Sequence, residues 1–112
     1  EEEKMELNGV TLEFDYYDAD QLERLEKGIL EVQEGCGSLP EGLKLSESIR
    51  RQCGLVFAFF DGVFGEGTAR RVFGPSANLM ACLDAFEAVV EEIQRQQKKL
   101  LQRQRAYLGE EP

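Results

Sequence analysis

Few side chains in this chain can do chemistry, and their types narrow what it can be. There is no histidine. The commonest general base, triad partner and metal ligand is therefore missing. No G-x-S-x-G, Walker loop or H-E-x-x-H occurs, and a ferritin-like centre built on Glu-x-x-His cannot form. Gly65-Glu66-Gly67 is a bare G-x-G that follows a predicted helix, whereas a dinucleotide loop follows a strand. Glu91 and Glu92 occupy adjacent helical positions and do not face one site. Cys36, Cys53 and Cys82 are widely spaced, with no C-x-x-C pair. Each falls on an expected apolar helix face, where free cysteine serves as a small core residue. A nucleophilic Cys53, or a lone pair of catalytic carboxylates, is the alternative. The expectation is a protein that is not an enzyme and needs no cofactor and no metal.

Binding chemistry is better supplied. Arg50-Arg51 and Arg70-Arg71 flank the most apolar stretch of the chain. They are either solvated and paired with Glu47, Asp61 and Glu66, or they form the basic edge of a surface for an acidic partner. Phe57, Phe59, Phe60, Phe64 and Phe73 exceed what one helix face can bury. Most belong to a core, and Phe59 or Phe73 is the candidate to line a hydrophobic groove. Residues 94–108 keep a helical period but put Gln at apolar positions. They carry Arg95, Lys98, Lys99, Arg103 and Arg105 with no acid. This tail reads as a solvated helical end, as an oligomerisation or partner-binding arm, or as a nucleic-acid arm. The last is disfavoured, because aromatics are not interleaved and the chain's net charge is −9. The expected partner-binding residues are Phe59, Phe64, Arg70, Arg71, Phe73, Lys98 and Leu101.

These residues need elements to position them. Met5 and Leu7, then Val10, Leu12 and Phe14, alternate with polar residues around Asn8-Gly9, the dipeptide that suits a two-residue hairpin turn. Asp18 and Gln21 fit a capping box ahead of Leu22, Leu25, Ile29, Val32 and Cys36, one face of a helix ending near Gly35–Gly37. Ser46 to Gly74 is the organising stretch. It predicts a helix buried nearly all round, capped near Ser46 and closed at Gly65. A short helix follows over Ala69 to Phe73, with Thr68 as its cap and Gly74-Pro75 as its stop. The last helix opens near Ser76–Asn78 and has Leu79, Leu83, Phe86, Val90 and Ile93 on one face. If unbroken it runs about 45 Å at 1.5 Å per residue, longer than so small a domain is wide. Its second half then projects or pairs with another chain. The fold class is mainly α, a hairpin followed by a small helical bundle in the order β-β-α-α-short α-long α.

With 112 residues the chain is one domain. Residues 1–4 read as a disordered acidic extension, with Met5 as a candidate start. Residues 5–93 form the folded unit, and 94–112 the basic arm and tail. The acidic first residues do not resemble a secretory leader, and no apolar run is long enough to span a bilayer. Reduced cysteines point to the cytoplasm. Residues 1–34 hold most of the acid, against Lys4, Arg24 and Lys27 alone, so the acidic front and basic tail are expected to attract each other within or between molecules.

LNGVTLEFDYYDAD, KLSESIRRQCGLVFAFFDGVFGEGTARRVFG and NLMACLDAFEAVV together resemble a family of small uncharacterised proteins encoded by phages and prophages of Gram-positive bacteria. The resemblance covers about residues 5–93. That family is similar in size, acidity and layout to tail assembly chaperones, which bind the tape measure protein and tail tube subunits. The resemblance thus implies a protein partner among phage tail components, in the cytoplasm of a bacterial host, while the acidic charge and the short apolar runs lead us to expect neither nucleic acid nor membrane as partner. It brings no catalytic residues, and residues 94–108 lie outside it. A structural or regulatory oligomer pairing through 94–108 is the competing reading.

Overall fold

Asn8 and Gly9 both take positive φ, 50° and 78°, the backbone that a type I′ turn demands. The turn joins β1 (Glu3–Leu7) to β2 (Val10–Phe14) in antiparallel register, with Leu7 opposite Val10 and Met5 opposite Leu12. Alternation then sends Leu12 and Phe14 into the core. A computed structural model describes residues 3–109 of the chain. The expected extension is corrected in part. Glu3 and Lys4 belong to β1, opposite Phe14 and Glu13, while Glu1 and Glu2 lie outside the described residues. The acidic Glu3 is tolerated because the last helix supplies its partners: Lys99 lies 3.6 Å away and Gln96 donates to it at 3.4 Å.

Four helices follow: α1 (Ala19–Gly37), α2 (Leu45–Phe64), α3 (Thr68–Phe73) and α4 (Leu79–Tyr107). Asp18 caps α1 by accepting from the Gln21 amide at 3.0 Å. Gln21 completes only half of the expected box, since its side chain accepts from the Asp15 amide instead. α2 starts one residue before Ser46. Its first turn is held by Glu47, whose carboxylate accepts from the Lys44 amide at 3.0 Å. Asn78 caps α4 by accepting from Ala81.

α2 is the central element, packing against α1, α3, α4 and β2. Cys53, Val56, Phe59, Phe60 and Val63 are its buried face, and after the exposed first turns that end at Arg51 only a narrow strip of Gly54, Ala58 and Gly62 stays exposed. Phe60, fully buried, contributes about 1.5–3 kcal/mol by leaving water. Leu25 and Val32 of α1 and Cys82, Phe86 and Val89 of α4 close the core from two sides. α1 approaches α2 closely because Gly28 has no side chain: a Cβ there would stand 2.9 Å from the Phe59 ring. α4 runs on after the core ends. It is 29 residues long in a molecule measuring 56 × 29 × 23 Å, and residues 97–107 are all exposed.

Candidate partner-binding surface

The corner between α2 and α3 is built around Asp61. Its carboxylate accepts from the Ala69 amide at 2.8 Å, satisfying one of the free N–H groups at the start of α3. Thr68 is therefore the first helical residue, not the cap. Its hydroxyl donates to the Gly65 carbonyl at 2.6 Å, and the capping position is Gly67 at φ 90°. Gly65 closes α2 at φ 115°, a backbone that side chains resist. These bonds hold the corner rigid.

Beside it lies a shallow groove of about 260 Å³ lined by Phe57, Asp61, Ala69, Arg70, Gly74 and Pro75. Phe57 and Phe73, both half-buried, pack together at 5.4 Å between ring centroids, so Phe73 supports the groove from behind. Arg70 is exposed on the rim. Arg71 is exposed as well and donates to the Thr68 hydroxyl at 3.3 Å. Among the described residues none of Arg50, Arg51, Arg70 and Arg71 forms an ion pair. Two of their expected acids are committed elsewhere, Asp61 to Ala69 and Glu47 to Lys44.

The other expected residues are dispersed. Phe59, at 4% exposure, sits mainly in the core, edge-on to Phe60 at 5.2 Å and to Phe86 at 5.2 Å, and meets the surface only as part of the wall of a separate shallow cavity of about 190 Å³ between α1 and α2, with Gly28, Ala58 and Val63. The close approach at Gly28 leaves little of its ring open. Phe64 is half-buried and packs edge-on against Phe14 at 5.7 Å, joining the hairpin to α2. Lys98 and Leu101 lie on the projecting part of α4, with Leu101 55% exposed. The groove thus gathers Arg70 with Phe73 behind it. Phe57, which sequence reasoning left among the core aromatics, takes the place of Phe59.

A second polar cluster joins α4 to the hairpin. Glu92 and Gln96 are buried polar residues on the same stripe of α4 as Cys82, Ala85 and Val89. Gln96 donates to Glu92 at 2.7 Å, Arg95 donates to the other oxygen of Glu92, and the Tyr17 hydroxyl donates to Gln96 at 2.6 Å. Desolvation works to raise the Glu92 pKa, but the hydrogen bonds from Gln96 and Arg95 outweigh it and hold the carboxyl below its ordinary range. Tyr16, buried beside Glu92 and Glu3, is pushed up to about 12, first by desolvation and then by those two charges. Sequence reasoning missed this cluster. The signal was present in the three- and four-residue spacing from Cys82 through Val89 to Gln96.

Cys53 and Cys82 are fully buried against one another between α2 and α4. Desolvation, then contact with Cys53, raises the Cys82 thiol to about 12, which keeps it protonated at neutral pH. No group of His, Cys, Asp or Glu among the described residues is placed to hold a metal ion, and no described helix is long and apolar enough to cross a membrane.

The arm of α4 carries an exposed apolar strip, partly covered only at Leu100, which lines a small cavity with Tyr17 and Leu22. Leu100, Leu101, Gln104, Tyr107 and Leu108 share one face by their spacing, continuous with the face that Phe86, Val90 and Ile93 turn to the core. Leu100 is 41% exposed and Tyr107 84%. Lys98 and Arg105 flank the strip on one side, Lys99 and Arg103 on the other.

Among known families, a model of a family of unknown function (DUF6673) matches residues 8–112, and the chain belongs to that family. No curated protein and no solved structure matches the chain.

Proposed function

We propose that this member of the family is a non-enzymatic assembly protein of a phage or prophage. It acts in the host cytoplasm like a tail assembly chaperone, holding a helical or partly unfolded segment of a tail component. The observation that carries this reading is the α2–α3 groove: an apolar floor at Phe57, Ala69 and Pro75 beside Arg70, a cation without an ion pair among the described residues. An apolar segment with a nearby acid fits such a surface. The sequence resemblance over residues 5–93 supplies the class of partner. Co-expression with fragments tiling the tape measure protein of the same genome tests it. One fragment should co-purify with the chain and be lost with Arg70→Glu. Failure of every fragment overturns the reading.

A second reading is favoured by the exposed strip on α4. In it the protein is a structural or regulatory oligomer assembled through its C-terminal helix. A chain cut after Gln97 keeps Glu92, Arg95 and Gln96 and should be monomeric where the full chain is not.

A further inference from the structure

We infer that the α4 arm of one copy seats on the acidic outer face of α1 of a second copy. This rests on the second reading above and names the surface that receives the arm. The arm cannot readily pair with another arm. It carries five cations and no acid between Ile93 and Gly109, so two arms side by side repel along their length. Gln97 and Gln104 also interrupt the apolar seam that such a pairing would need. Its natural cover is acidic, with an apolar centre.

α1 presents such a face. Leu30 is 52% exposed, although α1 buries Leu25 and Val32. Glu23, Glu26 and Glu34 surround it at spacings of seven, four and four residues, so all four share one side of the helix and are exposed, with Lys27 the one cation among them, which leaves the face acidic on balance. The acidic strip from Glu23 to Glu34 and the arm from Lys98 to Leu108 each extend about 15 Å at 1.5 Å per residue. Leu30 would enter between Leu100, Leu101 and Tyr107, with the glutamates against Lys98, Arg103 and Arg105. Within one molecule this contact is not made. Among the described residues the one ion pair between front and tail is Glu3 with Lys99, and Lys98, Arg103 and Arg105 form none.

The test is the mass of the full chain in solution by light scattering, with circular dichroism as the check on folding. The full chain should have at least twice the monomer mass at low salt and dissociate as salt rises from about 0.05 to about 1 M, where screening shortens to about 3 Å. Glu23→Lys with Glu26→Lys and Glu34→Lys should give a monomer, as should Lys98→Glu with Arg103→Glu and Arg105→Glu. Mixed together, these two variants should recover the wild-type mass, because each then meets a face of opposite charge. If the α1 variant stays oligomeric while the chain cut after Gln97 is monomeric, the arm is an interface and α1 is not its receptor, which overturns this inference alone. A monomeric full chain at low salt overturns both the inference and the reading beneath it.

Discussion

The side-chain amide of Asn8 donates to the backbone carbonyl of Val72 at 2.9 Å, joining the hairpin tip to α3 across 64 residues of chain. Val72 lies in the last turn of a six-residue helix, where carbonyls have no helical partner. One side chain therefore serves two ends: it makes a positive-φ turn possible in β1–β2, and it satisfies an orphan acceptor in α3. Two elements that carry no core of their own are held to α2 in part by each other.

Substitution separates those two roles. Asn8→Gly keeps the φ of 50° without strain and loses only the bond to Val72, an expected loss of about 0.5–1.5 kcal/mol. Asn8→Ala adds the left-handed backbone penalty, about 1–2 kcal/mol more. Urea unfolding should order the midpoints as wild type, Asn8→Gly, Asn8→Ala. A glycine variant as stable as wild type would mean that the Val72 contact contributes nothing.

Two glycines in α1 and α2 should respond to alanine with opposite signs. A Cβ at Gly28 meets Phe59 at 2.9 Å and Val63 at 3.3 Å. Phe59 cannot yield, since Phe60, Phe64 and Phe86 enclose it. Overpacking costs about 1–3 kcal/mol and exceeds the gain of about 1 kcal/mol in helix propensity. A Cβ at Gly54 meets nothing within 4 Å. Gly54→Ala should raise the melting temperature and Gly28→Ala should lower it. Equal responses would refute the close approach of α1 to α2.

Much of this fold is legible in the sequence because local signals and tertiary packing agree. Asn8-Gly9 announces the hairpin, and the apolar density from Cys53 to Phe64 announces the central helix. Asn78 and Gly65 mark helix ends that the structure places at the same residues. What was not legible depends on partners far away in the chain. Glu3 looks like part of a solvated acidic run, and only Gln96 and Lys99, more than ninety positions on, make it a strand residue. Asp61 looks like an ion-pair partner for arginine, but the geometry of the corner gives it to Ala69. Phe59 looks like surplus aromatic surface until Gly28 brings α1 down over it. In the candidate groove, Arg70 was legible from its position, whereas Phe57 could not be told from its four aromatic neighbours.

Glu92 should make stability depend on pH on the acid side. Its folded pKa is lower than the ordinary 4.5, because the hydrogen bonds from Gln96 and Arg95 overcome desolvation. A depressed carboxyl contributes stability that is present above its unfolded pKa and is lost as pH falls through the folded value. Glu92→Gln should therefore be less stable than wild type at pH 7, by about 1–3 kcal/mol for the disrupted network. The gap should narrow from pH 4.5 downward. Denaturation series at pH 7, 4.5 and 3 measure it. A gap independent of pH would remove the charge of Glu92 from the account.

The end of α4 should be separable from the domain that precedes it. Residues 97–107 are exposed throughout, and among the described residues their one ion pair is Lys99 with Glu3, both partly solvated. Such a pair is worth about 0–1 kcal/mol. Cutting the chain after Gln97 should lower the unfolding free energy by no more than about 1 kcal/mol. Cutting after Glu91 removes Glu92 and Gln96, frees the Tyr17 hydroxyl and uncovers Tyr16, and should loosen the hairpin. Hydrogen exchange gives a second measure. Amides of 98–107 should exchange fastest in α4 at a protein concentration where the chain is monomeric, since only the helix's own bonds protect them. Amides from Cys82 to Val89 should exchange only on global unfolding. Strong protection of 98–107 in a monomer would show that the arm folds back onto its own domain, and the strip of Leu100, Leu101 and Tyr107 would then be covered before any partner arrives.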